Sequence, residues 1–162
     1  MKIGKINLQI NKKPVLISEI SGNHNGSLNL AIKLVKKAAK LGSDLIKLQT
    51  YQAENLTLNS TRPEFFIKNK KSLWKNKNLF SLYKKGSTKK EWHYKLFQEA
   101  RKNRVDCFTS IFHEDDIEFL EKLNVPAYKI ASFECLHFPL IQKVIKTNKP
   151  ILISTGLCSL KE

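Results

Sequence analysis

Two lysines in apolar surroundings are the residues of this chain best suited to bind an anionic ligand. Lys47 stands between an isoleucine and a leucine, and Lys129 stands between a tyrosine and an isoleucine. An ammonium group is costly to bury unless an anion or a carboxylate pairs with it. If the two lysines converge, they would therefore form a site for a ligand that carries both a phosphate and a carboxylate.

Polar side chains near the same stretches could complete such a site. Ser110 and Ser132 are hydroxyl donors for the same anion, although each serine alone could be a simple loop cap. Gln49 and Glu134 could hydrogen-bond to a polyhydroxylated ligand. Glu19 could orient or deprotonate a substrate, and the alternative is a surface acid or a partner of a helix cap.

The histidines do not indicate a metal centre within this chain. No metal-ligand spacing relates the four of them, which are His24, His93, His113 and His137. We expect His24 in the loop after the first core strand, where it could touch a site. We expect His93 and His113 on helix faces.

The three cysteines are far apart and include no C-x-x-C pair. They are Cys107, Cys135 and Cys158. We predict that they are reduced and buried near strand ends, where they act as small hydrophobic residues rather than as metal ligands or disulfide partners.

Five short apolar stretches are predicted to be parallel strands that position the polar side chains. They begin near residues 15, 45, 106, 127 and 151. Helical periodicity is found between them, over residues 28–40, 88–103, 114–122 and 139–146. Because repeated strand–helix units form a parallel sheet, the carboxyl ends of these strands should meet at one edge.

Local signals set the limits of several of these elements. Ser27 is a good helix N-cap, and Gly42 suits the end of the same helix. The sequence from Thr88 to Glu91 has the form of a capping box, and Pro139 suits the first turn of the last helix. Residues 2–14 alternate in polarity like a small strand or hairpin, and residues 51–86 form a long connection that should carry short helices or a function.

Polar residues at the end of every strand favour a barrel over a doubly wound open sheet. The absence of a G-x-G-x-x-G motif after the first strand also argues against a dinucleotide fold. A complete barrel needs eight units and about 250 residues, whereas these 162 residues supply only five units. We therefore predict an α/β fold of the (β/α)8 TIM-barrel type that is incomplete, with residues 1–162 as its N-terminal part.

The net charge of +15 allows two interpretations. One is a protein that binds nucleic acid or an anionic membrane, and the other is a set of solvated, lysine-rich helix faces. No RNA-binding, zinc-finger or helix-turn-helix motif supports the first, so we do not expect nucleic acid as a partner. No apolar run reaches the length of a membrane span, and no signal-peptide core follows the basic N-terminus, so we expect a cytoplasmic protein.

Several motifs together resemble the N-acetylneuraminate synthase family. They are residues 19–28, 46–51, 125–134, 139–141 and 154–156. The similarity extends along the whole chain in order. Within the family the closest resemblance is to the pseudaminic acid synthase branch, and it rests on residues 21–25, 47–51, 73–74, 79–83 and 91–93.

This resemblance implies an enzyme that condenses phosphoenolpyruvate with the open aldehyde form of an N-acetylated amino sugar. The products are phosphate and a nine-carbon keto acid. Motif matches imply that phosphoenolpyruvate is held by Lys47, Ser110, Lys129 and Ser132. They also imply that the sugar end is faced by Gln49, Glu134 and Glu19, the last as the catalytic carboxylate. The pseudaminic branch would use 2,4-diacetamido-2,4,6-trideoxy-altrose, and the alternative is N-acetylmannosamine.

The resemblance also implies a divalent manganese or magnesium ion, a homodimer at full length and a C-terminal antifreeze-like domain. The metal ligands, the last barrel strands and that domain are expected beyond residue 162. The motifs depart from the family pattern at Ile111, where a proline is usual, at Asn76, where a glycine is usual, and at Leu157 and Cys158. The rival hypotheses are an inactive split-gene product that needs a complementing chain, and a basic nucleic-acid-binding protein.

Overall fold

Seven strands form two sheets in the computed structural model, which describes residues 1–9, 13–156, 158–159 and 161. The strands are β1 Lys2–Ile3, β2 Ile6–Asn7, β3 Ile17–Glu19, β4 Leu45–Thr50, β5 Asp106–Ile111, β6 Tyr128–Ile130 and β7 Ile151–Ile153. Strands β1 and β2 form an antiparallel hairpin. The other five form a parallel sheet in the order β3-β4-β5-β6-β7.

This strand order confirms the prediction of a partial barrel. Each strand pairs with its neighbour in the sequence, and the direction of strand addition never reverses. A doubly wound sheet would reverse its order at a switch point. The described residues thus form an arc of five barrel strands, with β3 and β7 at its two edges.

In the part of the chain that the structure describes, five α-helices and three 3-10 helices connect the strands. The α-helices are α1 Leu28–Lys40, α2 Leu79–Gly86, α3 Lys90–Lys102, α4 Asp116–Lys122 and α5 Phe138–Ile145. The 3-10 helices are Ala53–Asn55, Pro63–Phe65 and Ser132–Glu134. Within the described ranges no helix is both long enough and apolar enough to cross a membrane.

The ends of α1 and α5 follow the local sequence signals. The hydroxyl of Ser27 accepts a hydrogen bond from the backbone N–H of Leu30 at 3.3 Å, as an N-cap should. Gly42, just after α1, has a φ of 93°, a left-handed conformation that glycine adopts without strain. Pro139 lies in the first turn of α5, where its missing N–H costs no helical hydrogen bond.

The predicted capping box at Thr88 is wrong. Helix α3 begins one residue later than the box requires, with Lys89 as its cap residue and no side-chain capping bond. Thr88 is buried, and its hydroxyl lies 3.3 Å from Nε2 of His24 instead. A tertiary hydrogen bond in a buried position has therefore replaced the local one that the sequence suggested.

Two apolar cores lie on opposite faces of the parallel sheet. The larger core lies between the sheet and the helices and includes Val35, Leu48 and Leu96. The smaller core, on the inner face of the arc, consists of Ile3, Leu45, Phe108 and Ala127. Ile3 comes from the β1–β2 hairpin, so this hairpin covers the amino end of the inner face.

The structure confirms the two remaining predictions about chain organisation where it describes them. The N-terminal hairpin is present over residues 2–7, whereas its proposed continuation over residues 10–12 lies outside the described residues. The long connection over residues 51–86 carries two 3-10 helices, α2 and an antiparallel bridge between Phe66 and Asn78. The connection therefore has structure of its own.

Candidate functional site

The strand register brings the polar candidates of β3 to β6 to one end of the inner face. Glu19 lies opposite Lys47, Gln49 opposite Ser110, and Ser110 opposite Lys129. Because side chains alternate along a strand, Lys47 and Gln49 point to the same face as Leu45. The inner face therefore has an apolar layer at its amino end and a polar layer at its carboxyl end.

Lys47 is the centre of the polar layer. Its side chain is only 17% exposed, and its ammonium group forms an ion pair with Oε2 of Glu19. The same group donates to Oγ of Ser110 at 3.3 Å. Burial and the nearby charge of Lys129 lower the pKa of Lys47 to about 8, even though the Glu19 carboxylate favours the protonated form. A bound anion would relieve the repulsion between the two lysines.

Lys129 supplies a second cation to the same place. Burial lowers the pKa of Lys129, and the charge of Glu134 opposes that shift. Its ammonium group contacts the carbonyl oxygen of Ile130. In the described part of the chain it forms no ion pair with a carboxylate. The contact that holds this half-buried cation in the described residues is thus a backbone carbonyl, and the ammonium group can pair with an anionic ligand.

Glu134 carries a buried oxygen that lacks a partner among the described residues. This oxygen is Oε2 of a carboxylate on the 3-10 helix that follows β6. Burial raises the pKa of the Glu134 carboxyl, and its own backbone N–H, His137 and Lys129 oppose that effect. An unsatisfied buried oxygen costs about 1–3 kcal/mol, so a ligand hydroxyl that donated to it would stabilise the complex.

Ser132 is the first residue of the same 3-10 helix and lies near the carboxyl end of β7. Its carbonyl oxygen accepts a hydrogen bond from Sγ of Cys135 at 2.9 Å. A methyl group placed on Gly156, just after β7, would lie 3.8 Å from Cβ of Ser132. Ser132 therefore lies between the ends of β6 and β7, beside Lys129 and Glu134 in the chain.

Ser21 joins two of the candidate residues and was missed by the sequence analysis. Its backbone N–H donates to Oε1 of Glu19 at 3.1 Å, and its hydroxyl accepts from Nε2 of Gln49 at 3.3 Å. Its φ is +46°, which is uncommon for a residue other than glycine. Strained backbone often marks a functional site, but the residue type gave no sign of this conformation.

The left-handed backbone at Ser21 predicts a clear order of stability among substitutions. Ser21→Val should lower the free energy of unfolding by about 1–3 kcal/mol, because a β-branched residue is strained at positive φ. Ser21→Gly should leave it unchanged or raise it by up to about 1 kcal/mol, because glycine adopts this conformation freely. Urea unfolding of both variants measures the order, and equal stability of the two would contradict it.

The histidines are structural residues or loop residues in this fold. His93 is fully buried, its Nε2 lies 2.8 Å from Oγ1 of Thr50, and burial lowers its pKa. His93 does lie on α3, as predicted, but on its buried face. His113 lies in the loop after β5, so its predicted helical position is wrong. Its Nδ1 accepts from the backbone N–H of Asp115 at 3.3 Å, which forms a turn before α4 begins.

His24 packs away from the candidate site rather than touching it. It is fully buried in the loop after β3, and burial lowers its pKa. Its Nδ1 accepts from the backbone N–H of Gly26 at 3.1 Å, and its ring meets Trp92 edge to face at 5.4 Å. Its ring therefore anchors the first loop to α3.

The predicted burial of the three cysteines holds for Cys107 and is wrong for the other two. Cys107 is buried within the sheet, and burial raises the pKa of its thiol. Cys135 and Cys158 are half-buried, and their sulfur atoms lie 2.6 Å apart. They are 23 residues apart in the sequence, which is one strand–helix unit, so neighbouring strand ends bring them together.

The potential metal ligands among the described residues do not form a metal centre. In that part of the chain, no three or more His, Cys, Asp or Glu side chains are grouped so that they could hold a metal ion. The divalent ion that the resemblance implies does not fit these residues as its ligands.

The chain is similar in sequence to proteins that are named as synthases. A family model described as the NeuB family matches residues 34–162. The chain is 43% identical over all 162 residues to a pseudaminic acid synthase of Campylobacter jejuni, of which it covers 46%. It is 44% identical over 146 residues, 90% of the chain, to the pseudaminic acid synthase of Helicobacter pylori, of which it covers 42%. The chain thus spans about half the length of the curated relatives it matches.

Solved structures extend the comparison to the fold. The crystal structure of the N-acetylneuraminic acid (sialic acid) synthetase of Leptospira borgpetersenii, in complex with citrate, matches with a TM-score of 0.80 and 25% identity. The match covers 99% of this chain and 51% of that one. The spore coat polysaccharide biosynthesis protein of Bacillus subtilis matches with a TM-score of 0.76 and 26% identity, over 99% of this chain and 41% of that one.

Proposed function

The chain belongs to the NeuB family, and on this premise we propose that it is the phosphoenolpyruvate-binding part of a synthase that makes a sialic-acid-like sugar. The second substrate would be an N-acetylated amino sugar in its open aldehyde form. The products would be phosphate and a nine-carbon keto acid. The relatives named pseudaminic acid synthase support the class of reaction.

The convergence of Lys47 and Lys129 beside Ser110 carries this proposal. Lys47 donates to Ser110 at 3.3 Å, and its lowered pKa reflects both its burial and the nearby charge of Lys129. Phosphoenolpyruvate carries a phosphate and a carboxylate, so each lysine can pair with one of the two groups. The hydroxyls of Ser110 and Ser132 would add hydrogen bonds to the same anion.

The residues of this chain would hold the reacting atoms in place and exclude water from the wrong positions. The methylene carbon of phosphoenolpyruvate forms a carbon–carbon bond to the aldehyde carbon of the sugar. Water then adds to the resulting cationic carbon, and phosphate leaves as the carbon–oxygen bond breaks. Glu19 is proposed to orient the substrate or to take a proton from the attacking water, and the lysines would stabilise the departing phosphate.

The sugar end of the site is proposed to lie at Glu19, Gln49 and Glu134. Ser21 holds the first two side chains in place, and the buried Oε2 of Glu134 lacks a donor among the described residues. The relatives named pseudaminic acid synthase support the pseudaminic branch, for which the resemblance implies 2,4-diacetamido-2,4,6-trideoxy-altrose as the sugar. N-acetylmannosamine is the alternative substrate.

Further parts of the proposed enzyme would lie outside these residues. The ligands of a manganese or magnesium ion would come from the part of the relatives' length that this chain does not span. When bound, such an ion would polarise the aldehyde oxygen. A homodimer is proposed for the full-length enzyme.

Phosphate release tests the proposed function. The chain would be incubated with phosphoenolpyruvate, manganese and each candidate sugar, alone and together with the remaining half of the Campylobacter jejuni pseudaminic acid synthase. We expect phosphoenolpyruvate binding by the chain alone and phosphate release only in the mixture. A folded chain that fails to bind phosphoenolpyruvate would refute the proposal.

A nucleic-acid-binding protein is the second candidate, and the net charge of +15 is the observation that favours it. Such a protein would bind DNA or RNA with an affinity that falls steeply as salt is added. Titration of labelled DNA and RNA at low salt separates the two candidates. Absence of binding there would remove the second one.

A further inference from the structure

Cys135 and Cys158 form a pair of thiols at the carboxyl end of the sheet. Their sulfur atoms lie 2.6 Å apart. The backbone brings them together independently of their side chains, because β6 and β7 are paired with Ile130 opposite Ile153. Just beyond β7, the N–H of Ser154 donates to the carbonyl oxygen of Ile130 at 3.1 Å. The loops that follow these two strands are therefore adjacent.

The two thiols are accessible to small reagents, whereas the third cysteine is not. Cys135 and Cys158 are both half-buried, and Cys107 is buried with only 4% of its surface exposed. Burial also raises the pKa of the Cys107 thiol, which disfavours the reactive thiolate. Cys107 should therefore neither compete for an oxidant nor exchange with the pair.

We propose that Cys135 and Cys158 are the site of a reversible disulfide that links the loops after β6 and β7. With hydrogen peroxide as the oxidant, each thiol gives up its proton and the pair gives up two electrons as the sulfur–sulfur bond forms. The oxygen–oxygen bond of the peroxide breaks, and two water molecules leave. In a reducing compartment a disulfide of this kind is transient and regulatory.

The disulfide would alter the candidate site, an effect that rests on the proposed function. The thiol of Cys135 donates to the carbonyl oxygen of Ser132 at 2.9 Å, and a disulfide sulfur has no hydrogen to donate. That carbonyl belongs to the 3-10 helix that also carries the side chains of Ser132 and Glu134. We expect oxidation to weaken phosphoenolpyruvate binding about fivefold, the scale of one lost hydrogen bond.

Thiol trapping followed by mass spectrometry tests the disulfide itself. The reduced chain is treated with stoichiometric hydrogen peroxide, blocked with N-ethylmaleimide and digested. We expect a linked peptide pair that contains both cysteines, a mass loss of two hydrogens and full reversal by dithiothreitol. Cys107→Ser should behave like the unchanged chain, whereas Cys135→Ser and Cys158→Ser should each fail to form the link.

Two other outcomes would overturn the proposal. One is oxidation of single cysteines to sulfinic acid without a linked pair, and the other is a link that includes Cys107 or joins two copies of the chain. The chemistry is measured without any substrate, so its result does not depend on the proposed function. If the link forms but the reduced chain does not bind phosphoenolpyruvate, the disulfide stands and the proposed function falls.

Discussion

Lys47→Ala and Lys129→Ala are each expected to weaken phosphoenolpyruvate binding about 100-fold. Removing one partner of a buried, hydrogen-bonded charge pair costs about 2–5 kcal/mol. Each lysine is proposed to meet one anionic group of the ligand, and the two ammonium groups are close enough for Lys129 to lower the pKa of Lys47. Because each lysine binds a different group, the remaining lysine cannot take over the role of the one removed, and both variants should show the loss.

The loss should arise from binding and not from unfolding. Lys47→Ala removes the ion-pair partner of Glu19, whose side chain is 35% exposed and can therefore be hydrated. Lys129→Ala removes a cation that repels Lys47, which should raise the pKa of Lys47 towards its ordinary value. The free energy of unfolding should thus stay close to that of the unchanged chain.

Calorimetric titration with phosphoenolpyruvate measures the affinity, and urea unfolding measures the stability. Lys36→Ala is the matched control, because it removes one positive charge from a side chain that is 51% exposed and paired with Glu99 on the helical side. The control should bind within twofold of the unchanged chain. Unchanged affinity in both Lys47→Ala and Lys129→Ala would remove these residues from the site.

The inner face of the sheet could be predicted from the sequence because its determinants are periodic. Lys47 and Gln49 are two residues apart, so one strand presents both on the same face. The order of the strand–helix units makes neighbours in the sequence neighbours in the sheet, which aligns Glu19 and Ser110 with that strand and Lys129 with Ser110. The alternation of side chains and the order of the strand–helix units carry this information without knowledge of tertiary contacts.

The features that could not be predicted depend on contacts between distant residues. The sequence that begins at Thr88 has the form of a capping box. The hydroxyl of Thr88 instead lies against buried His24, which is 64 residues away in the sequence. The positive φ of Ser21 reflects its hydrogen bonds with Glu19 and Gln49, which a list of residue types does not reveal.

The pair formed by Cys135 and Cys158 was missed for a related reason. Strand order predicts that the two loops are adjacent, but the side-chain contact depends on the exact length of each loop. Spacing rules for cysteines detect pairs within one turn and not pairs across two strand ends.

Phosphoenolpyruvate affinity should fall as the pH rises through about 8, the pKa of Lys47 in the free chain. The bound anion needs the protonated ammonium group, which predominates below that pKa and is lost above it. When one required proton is lost, the affinity falls about tenfold per pH unit. Calorimetric titration from pH 7 upward measures the slope.

The stability of the ligand-free chain should change with pH in the opposite direction. Lys47 has a pKa of about 8 in the folded chain, against an ordinary value of 10.5, so the unfolded chain binds more protons between these two values. The free energy of unfolding should therefore gain a contribution as the pH rises through this window. In Lys47→Ala this contribution should disappear from urea unfolding curves.

Lys47→Arg separates this effect from a general loss of binding at high pH. A guanidinium group remains charged throughout the window, so in this variant, although its affinity is lower, the part of the fall that comes from Lys47 should be absent. In Lys129→Ala the fall in affinity should begin at higher pH, because the cation that repels Lys47 is absent. A pH-independent affinity in the unchanged chain would show that Lys47 does not bind the ligand as an ammonium ion.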